Sequence, residues 1–87
     1  MAIWFSRSAK LELKSFSAEN KSKVSEALDL LGIDSYREQN KIDLCLAEQG
    51  CDIWGLVVGE VWLAFHRDDE NDICVDWVSI RSRFRPF

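Results

Sequence analysis

The sequence predicts one α+β domain over residues 1–87, with an N-terminal strand and a two-helix hairpin packed on one face of a mainly antiparallel sheet. Three observations carry that expectation. Eighty-seven residues with a single proline and 47% hydrophobic side chains suit one compact unit with a small core, since a chain of this size buries roughly 60–65% of its unfolded surface. The apolar period changes from about 3.6 residues before Gly32 to about 2 after it. Turn signals then divide the second half into consecutive strands, which pair antiparallel and leave the helices to cover one side.

Taken in order, Ile3-Trp4-Phe5 reads as a short strand. A first helix is expected from about Ser8 to Ser15, opened by a serine able to accept from free backbone N–H groups, with Ala9, Leu13 and Phe16 on one face. Ser17 is the N-cap expected for a second helix, with Glu19 in its first turn and Val24, Ala27, Leu28 and Leu31 repeating at i, i+3, i+4 and i+7. Gly32 stands where a C′ glycine ends a helix. Lys21, Lys23, Glu26 and Asp29 fall on the wet side. Ile42, Leu44 and Leu46 alternate with polar or small residues, as in a half-buried strand, and Gln49-Gly50 marks a turn. Ile53 to Val58 is apolar on both faces, which predicts a central strand. Gly59-Glu60 suits a two-residue type II′ hairpin into Val61–His66. Arg67 to Asp72 is a polar loop, and Ile73 to Ile80 is the last strand.

Composition excludes several classes. The longest apolar stretch, Ile53 to Phe65, is interrupted by Glu60 and falls short of the ~20 residues that span a bilayer. Met-Ala-Ile-Trp-Phe is not a basic leader followed by a long apolar run, so a cytoplasmic protein without a membrane partner is expected. Cys45, Cys51 and Cys74 are odd in number and irregular in spacing, which predicts small buried hydrophobes rather than a disulfide framework. With one histidine they supply no zinc pattern; neither a metal nor a cofactor is called for. The net charge of −4 is uneven: residues 1–31 carry +1, residues 32–80 carry −8 and the last seven carry +3. Broad nucleic-acid-binding faces are strongly basic, so any phosphate contact here is confined to a local patch.

Beside this reading, the chain resembles the RelE/ParE superfamily of toxins from bacterial type II toxin–antitoxin modules. The likeness lies in Ile3-Trp4-Phe5-Ser6 with Ala9 and Leu13, in Ile53-Trp54-Gly55-Leu56-Val57-Val58-Gly59-Glu60, and in Leu63-Ala64-Phe65. An acidic loop, the strand from Ile73 and the basic tail Ile80-Arg81-Ser82-Arg83-Phe84-Arg85-Pro86-Phe87 complete it. The resemblance implies a RelE-like fold, a cognate antitoxin protein as partner, and inhibition of translation by ribosome-dependent mRNA cleavage, with ribosome and mRNA as targets. The ParE branch implies an alternative, a non-enzymatic poison of DNA gyrase; a further alternative is a catalytically silent relative that only binds an antitoxin. The sequence departs from the family at Trp62, where an arginine is frequent, and at Ser82 and Phe87, where a histidine or tyrosine is frequent.

Three groups are candidates for chemistry. The cleavage implied by the resemblance needs proton transfer and neutralisation of the phosphorane; Arg81 and Arg83 remain for the phosphate, and His66 is the one side chain whose ordinary pKa suits proton transfer near neutral pH. His66 is a general acid or base, or a strand-end histidine hydrogen-bonded to a carboxylate; both readings stand at this point. Arg81, Arg83 and Arg85 at spacing two are the nucleic-acid-binding candidates, or else a basic tail. Phe84 and Phe87 stack on bases or staple that tail. Asp68, Asp69, Glu70 and Asp72 lack the spacing of a calcium loop and read as a solvated turn. Trp4, Trp54, Trp62 and Trp77 all lie in expected strands, and an exposed one among them marks a docking surface.

Overall fold

The computed structural model describes residues 2–45 and 52–81. Strand β1 (Ile3–Phe5) leads into helices α1 (Arg7–Ser15), α2 (Ala18–Leu31) and α3 (Asp34–Asn40). Strands β2 (Ile42–Asp43), β3 (Trp54–Val58), β4 (Val61–Arg67) and β5 (Ile73–Ile80) follow. They form one sheet in the order β1-β5-β4-β3-β2. The pairs β2–β3, β3–β4 and β4–β5 are antiparallel, and β1 adds in parallel to the outside of β5. The fold class expected from the sequence is the one observed.

Helix α1 begins one residue earlier than expected because its cap is Ser6 and not Ser8. The Ser6 hydroxyl oxygen accepts from the Ala9 amide at 3.1 Å and its proton goes to the Asp76 carbonyl at 2.7 Å, so one side chain starts the helix and ties it to β5. On the next turn Glu12 Oε1 accepts the Val78 amide at 3.0 Å. That amide lies beyond the reach of three-residue β1, and the carboxylate satisfies a sheet edge that would otherwise lack a partner.

Helix α2 is capped by Ser17, which accepts from the Asn20 amide at 3.2 Å. Val24, Ala27 and Leu31 are buried against the sheet, and Leu28 is only partly buried at the margin of the same core. Gly32 does not take the left-handed conformation expected of a C′ glycine: its φ is −73°, because the chain turns straight into a further helix. That helix, α3, has no apolar stripe to announce it. It is held instead by Arg37, 1% exposed, whose Nη1 donates to the Leu31 carbonyl at 3.0 Å. Arg37 Nη2 and Nε donate to Asp34 at 2.8 Å and to Glu38 at 3.1 Å. A buried guanidinium thus closes the open end of α2, where carbonyls lack intrahelical partners. Lys41 follows, 2.7 Å from Glu38 and 4.1 Å above the Trp54 ring, and its bond holds the Glu38 carboxyl below the usual range.

In the sheet, Val61, Leu63 and Phe65 of β4 alternate toward the helices with Leu56, Ile73, Val75 and Val78. β4 is the middle strand. The run from Ile53, expected to be central, is β3, whose outer neighbour β2 has only two residues. Ile42 and Leu44 are exposed rather than half-buried; Leu46 and the Gln49-Gly50 turn lie outside the described residues. Gly59 has φ 60° while Glu60 does not share the positive φ, as the expected type II′ hairpin requires. The acidic segment is a turn: Asp68 Oδ1 accepts from the Glu70 and Asp72 amides, each at 2.9 Å, and Asn71 takes φ 64°, a conformation asparagine tolerates. Cys74 is free and buried, as expected. Cys45 is disulfide-bonded, against expectation.

Candidate functional site

Among the described residues, the helices cover one face of the sheet and no helix covers the other. Register places Trp4, Cys74 and His66 side by side on that open face, then Trp77, Ala64, Gly55 and Ile42, then Ser79, Trp62 and Val57. Trp4 is 45% and Trp62 39% exposed. Leu44 lies over Gly55, where a Cβ would meet its side chain at 3.1 Å. The face is therefore apolar and aromatic, with polar groups at its two ends.

At one end stands His66, whose Nδ1 is 2.7 Å from Asp76 Oδ2. Asp76 is brought there by a β-bulge. Phe65 pairs with Val75 and Ala64 with Trp77, so Asp76 is the extra residue and stays beside His66 instead of moving on to Ala64. Cys74 is the direct cross-strand partner of His66. The imidazole nitrogen, the thiol sulfur and a carboxylate oxygen of these three residues lie within 4.8 Å of one another. Burial, with the Asp76 and Asp68 carboxylates nearby, pushes the Cys74 thiol up; a buried, protonated thiol is not a nucleophile. Next to this group the Trp4 indole N–H donates to Asp68 Oδ2 at 2.8 Å, which holds the Asp68 carboxyl below its ordinary value.

At the other end Arg81 lies with its guanidinium carbon 5.4 Å from the centre of the Trp62 ring. Its backbone amide donates to the Glu60 carbonyl at 2.8 Å, continuing the edge of β5 past Ile80. Trp62, standing where an arginine is frequent in the resembling family, thus carries the Arg81 guanidinium over its ring. The Arg81 Nε lies 3.5 Å from Ser79 Oγ, and a guanidinium above a ring retains in-plane N–H groups able to pair with an anion.

The structure brings His66 to a carboxylate and Arg81 to an indole, and it does not bring His66 to Arg81. Trp62 and His66 are four residues apart on β4, about 13 Å at roughly 3.3 Å per residue. Arg83 and Arg85, the other candidates, lie outside the described residues, as do Ser82, Phe84 and Phe87. Nothing in the sequence marks Asp76 and Cys74 as site residues. Only the β4–β5 register places them beside His66, and no local pattern encodes that register.

No family model and no curated protein matches the sequence. Solved structures do. The chain aligns with one in the crystal structure of the toxin–antitoxin complex RelBE2 from Mycobacterium tuberculosis at TM-score 0.66 and 17% identity, covering 92% of this chain and 96% of that one. It aligns with a chain of the archaeal RelE–RelB complex from Pyrococcus horikoshii at TM-score 0.62 and 16% identity, covering 95% and 97%. At these identities the likeness is one of architecture, and it runs through nearly the whole chain. The protein has the RelE-like α+β fold that its sequence leads one to expect.

Proposed function

We propose that this protein is the toxin of a type II toxin–antitoxin module, acting in the cytoplasm on translation by ribosome-dependent mRNA cleavage and held in check by a cognate antitoxin. The observation that carries this reading is the end-to-end correspondence with chains of two toxin–antitoxin complexes. The open sheet face supports it. Two exposed tryptophans at 45% and 39% offer apolar area of the kind that a partner segment covers as it folds on binding. Arg81 on Trp62 contacts RNA phosphate, with Arg83 and Arg85 as further phosphate contacts. His66 oriented by Asp76 at 2.7 Å transfers the proton. No helix is long and apolar enough to cross a membrane among the described residues.

The separation of His66 from Arg81 along β4 favours a second reading, in which the protein is a binder and not a nuclease. Its target is then DNA gyrase, or the antitoxin alone.

Induction in a bacterial host tests the proposal. Growth arrest is expected from the wild-type chain, relieved by replacing Arg81 and Arg83 together with alanine while circular dichroism stays unchanged. A folded double variant that remains fully toxic would show the arginines to be bystanders and move the action to the tryptophan-bearing face.

A further inference from the structure

We propose that His66, Cys74 and Asp76 form a binding site for a divalent cation of the zinc type on the open face of the sheet. The site goes beyond the toxin reading and does not depend on it.

The donor set selects the ion. One imidazole nitrogen, one thiolate sulfur and one carboxylate oxygen suit zinc, cobalt or nickel, whereas calcium and magnesium take oxygen donors. The spacing suits it as well. With bonds of about 2.0–2.3 Å, tetrahedral zinc holds its ligand atoms roughly 3.3–3.6 Å apart. The three donors lie within 4.8 Å of one another and the closest pair, His66 Nδ1 and Asp76 Oδ2, is at 2.7 Å. Reaching that range takes donor shifts of about 1 Å, the scale of a side-chain rotation.

The scaffold gathers the three residues before any ion arrives. His66 and Cys74 are register partners on adjacent strands. Asp76 is kept next to them by the bulge, and Ser6 anchors the bulge through its bond to the Asp76 carbonyl at 2.7 Å. That bond holds the Asp76 backbone and so sets where its carboxylate stands. Access is graded. The side chains of His66 and Asp76 are 34% and 27% exposed, while Cys74 is 2% exposed beneath them. An ion approaches from solvent, meets nitrogen and oxygen first and settles on the sulfur, leaving a fourth position toward water or a partner group. The Asp68 carboxylate, held close by Trp4, adds negative charge that favours a cation. On binding, the thiol proton leaves to solvent, the metal–sulfur bond forms and the metal keeps its oxidation state. The occupied site engages an imidazole nitrogen that proton transfer would otherwise use.

The sequence alone did not suggest this site, because one histidine and scattered cysteines match no zinc spacing. Register and a single extra residue in β5 assemble it.

The test is a titration of the full chain with Co2+, without reductant, followed by competition with Zn2+. One Co2+ per chain is expected, with the intense visible bands of a tetrahedral site and a thiolate-to-cobalt charge-transfer band that Zn2+ abolishes. Cys74→Ser should lose the charge-transfer band. His66→Gln and Asp76→Asn should each weaken Co2+ binding at least about tenfold, the loss typical of disturbing even an outer-shell partner. These two positions are half-exposed, so both variants remain folded by circular dichroism and decide the matter even if Cys74→Ser does not fold. Absence of the bands in the wild-type chain, a charge-transfer band that survives in folded Cys74→Ser, or unchanged affinity in both other variants would overturn the proposal. Toxicity is not read in this experiment, so its outcome is separate from that of the toxin reading.

Discussion

Asp76 Oδ2 meets His66 Nδ1 at 2.7 Å although the two residues are not register partners in the β4–β5 ladder. The contact exists because β5 carries one residue more than β4 at this step, and Ser6 secures that residue by donating to its carbonyl at 2.7 Å. A cap at the start of α1 thereby fixes the geometry of a polar group on the opposite face of the sheet.

Ser6→Ala should therefore act twice. Loss of the cap costs about 0.5–2 kcal/mol of stability, read as a lower urea midpoint with an unchanged slope. The bulge also loses its anchor, so the His66 ring signals in NMR should shift although residue 66 is untouched. Unperturbed His66 signals would show that the bulge holds itself.

Arg37 and its partners are expected to be unequal. Arg37→Ala leaves the Leu31 carbonyl without its donor and removes a fully buried side chain, at about 1–3 kcal/mol for the unpaired polar group alone. Asp34→Asn should cost well under about 1 kcal/mol, since Asp34 is largely exposed and such pairs contribute little. Chemical denaturation of both variants gives the comparison, and equal losses would contradict the view that the guanidinium acts as the cap of α2.

Leu31→Ala should cost about 2–5 kcal/mol, the range for a buried leucine, and Leu28→Ala clearly less, because Leu31 is 0% exposed and Leu28 lies at the margin of the core. The same denaturation series reads the order. Reversal would misplace the register of α2.

Much of this architecture was legible in the sequence, for identifiable reasons. Val24, Ala27 and Leu31 announce α2 by period, and Ile73–Ile80 is bounded by an acidic turn and alternates toward the core. What stayed hidden depends on contacts distant in sequence. Helix α3 has no apolar stripe and is stabilised by Arg37 reaching back to α2. The Cys45 disulfide follows no spacing rule. β3 looked central because it is apolar on both faces, but its outward side is covered in part by Leu44 rather than by a full strand. His66 was found because it is the one histidine, whereas Asp76 and Cys74 became site residues only through strand register and a bulge.

The Trp4–Asp68 bond gives a pH signature. The bond holds the Asp68 carboxyl below its ordinary value of 3.8, so it favours the folded state at pH above that value. The contribution is lost as pH falls through the lower, folded value. Asp68→Asn should lower the thermal midpoint at neutral pH, and the two proteins should converge as pH drops below the carboxylate range. A gap that stays constant down to the acid limit would assign the effect to something other than ionised Asp68.

The proposed action on translation is read by mapping mRNA ends in a reconstituted translation reaction. New mRNA ends at codon positions are expected when the purified protein and ribosomes are both present. They should vanish on replacing Arg81 and Arg83 with alanine, and mRNA should stay intact when ribosomes are omitted. Full-length mRNA and undiminished protein synthesis in the presence of the folded wild-type chain would contradict the proposed action.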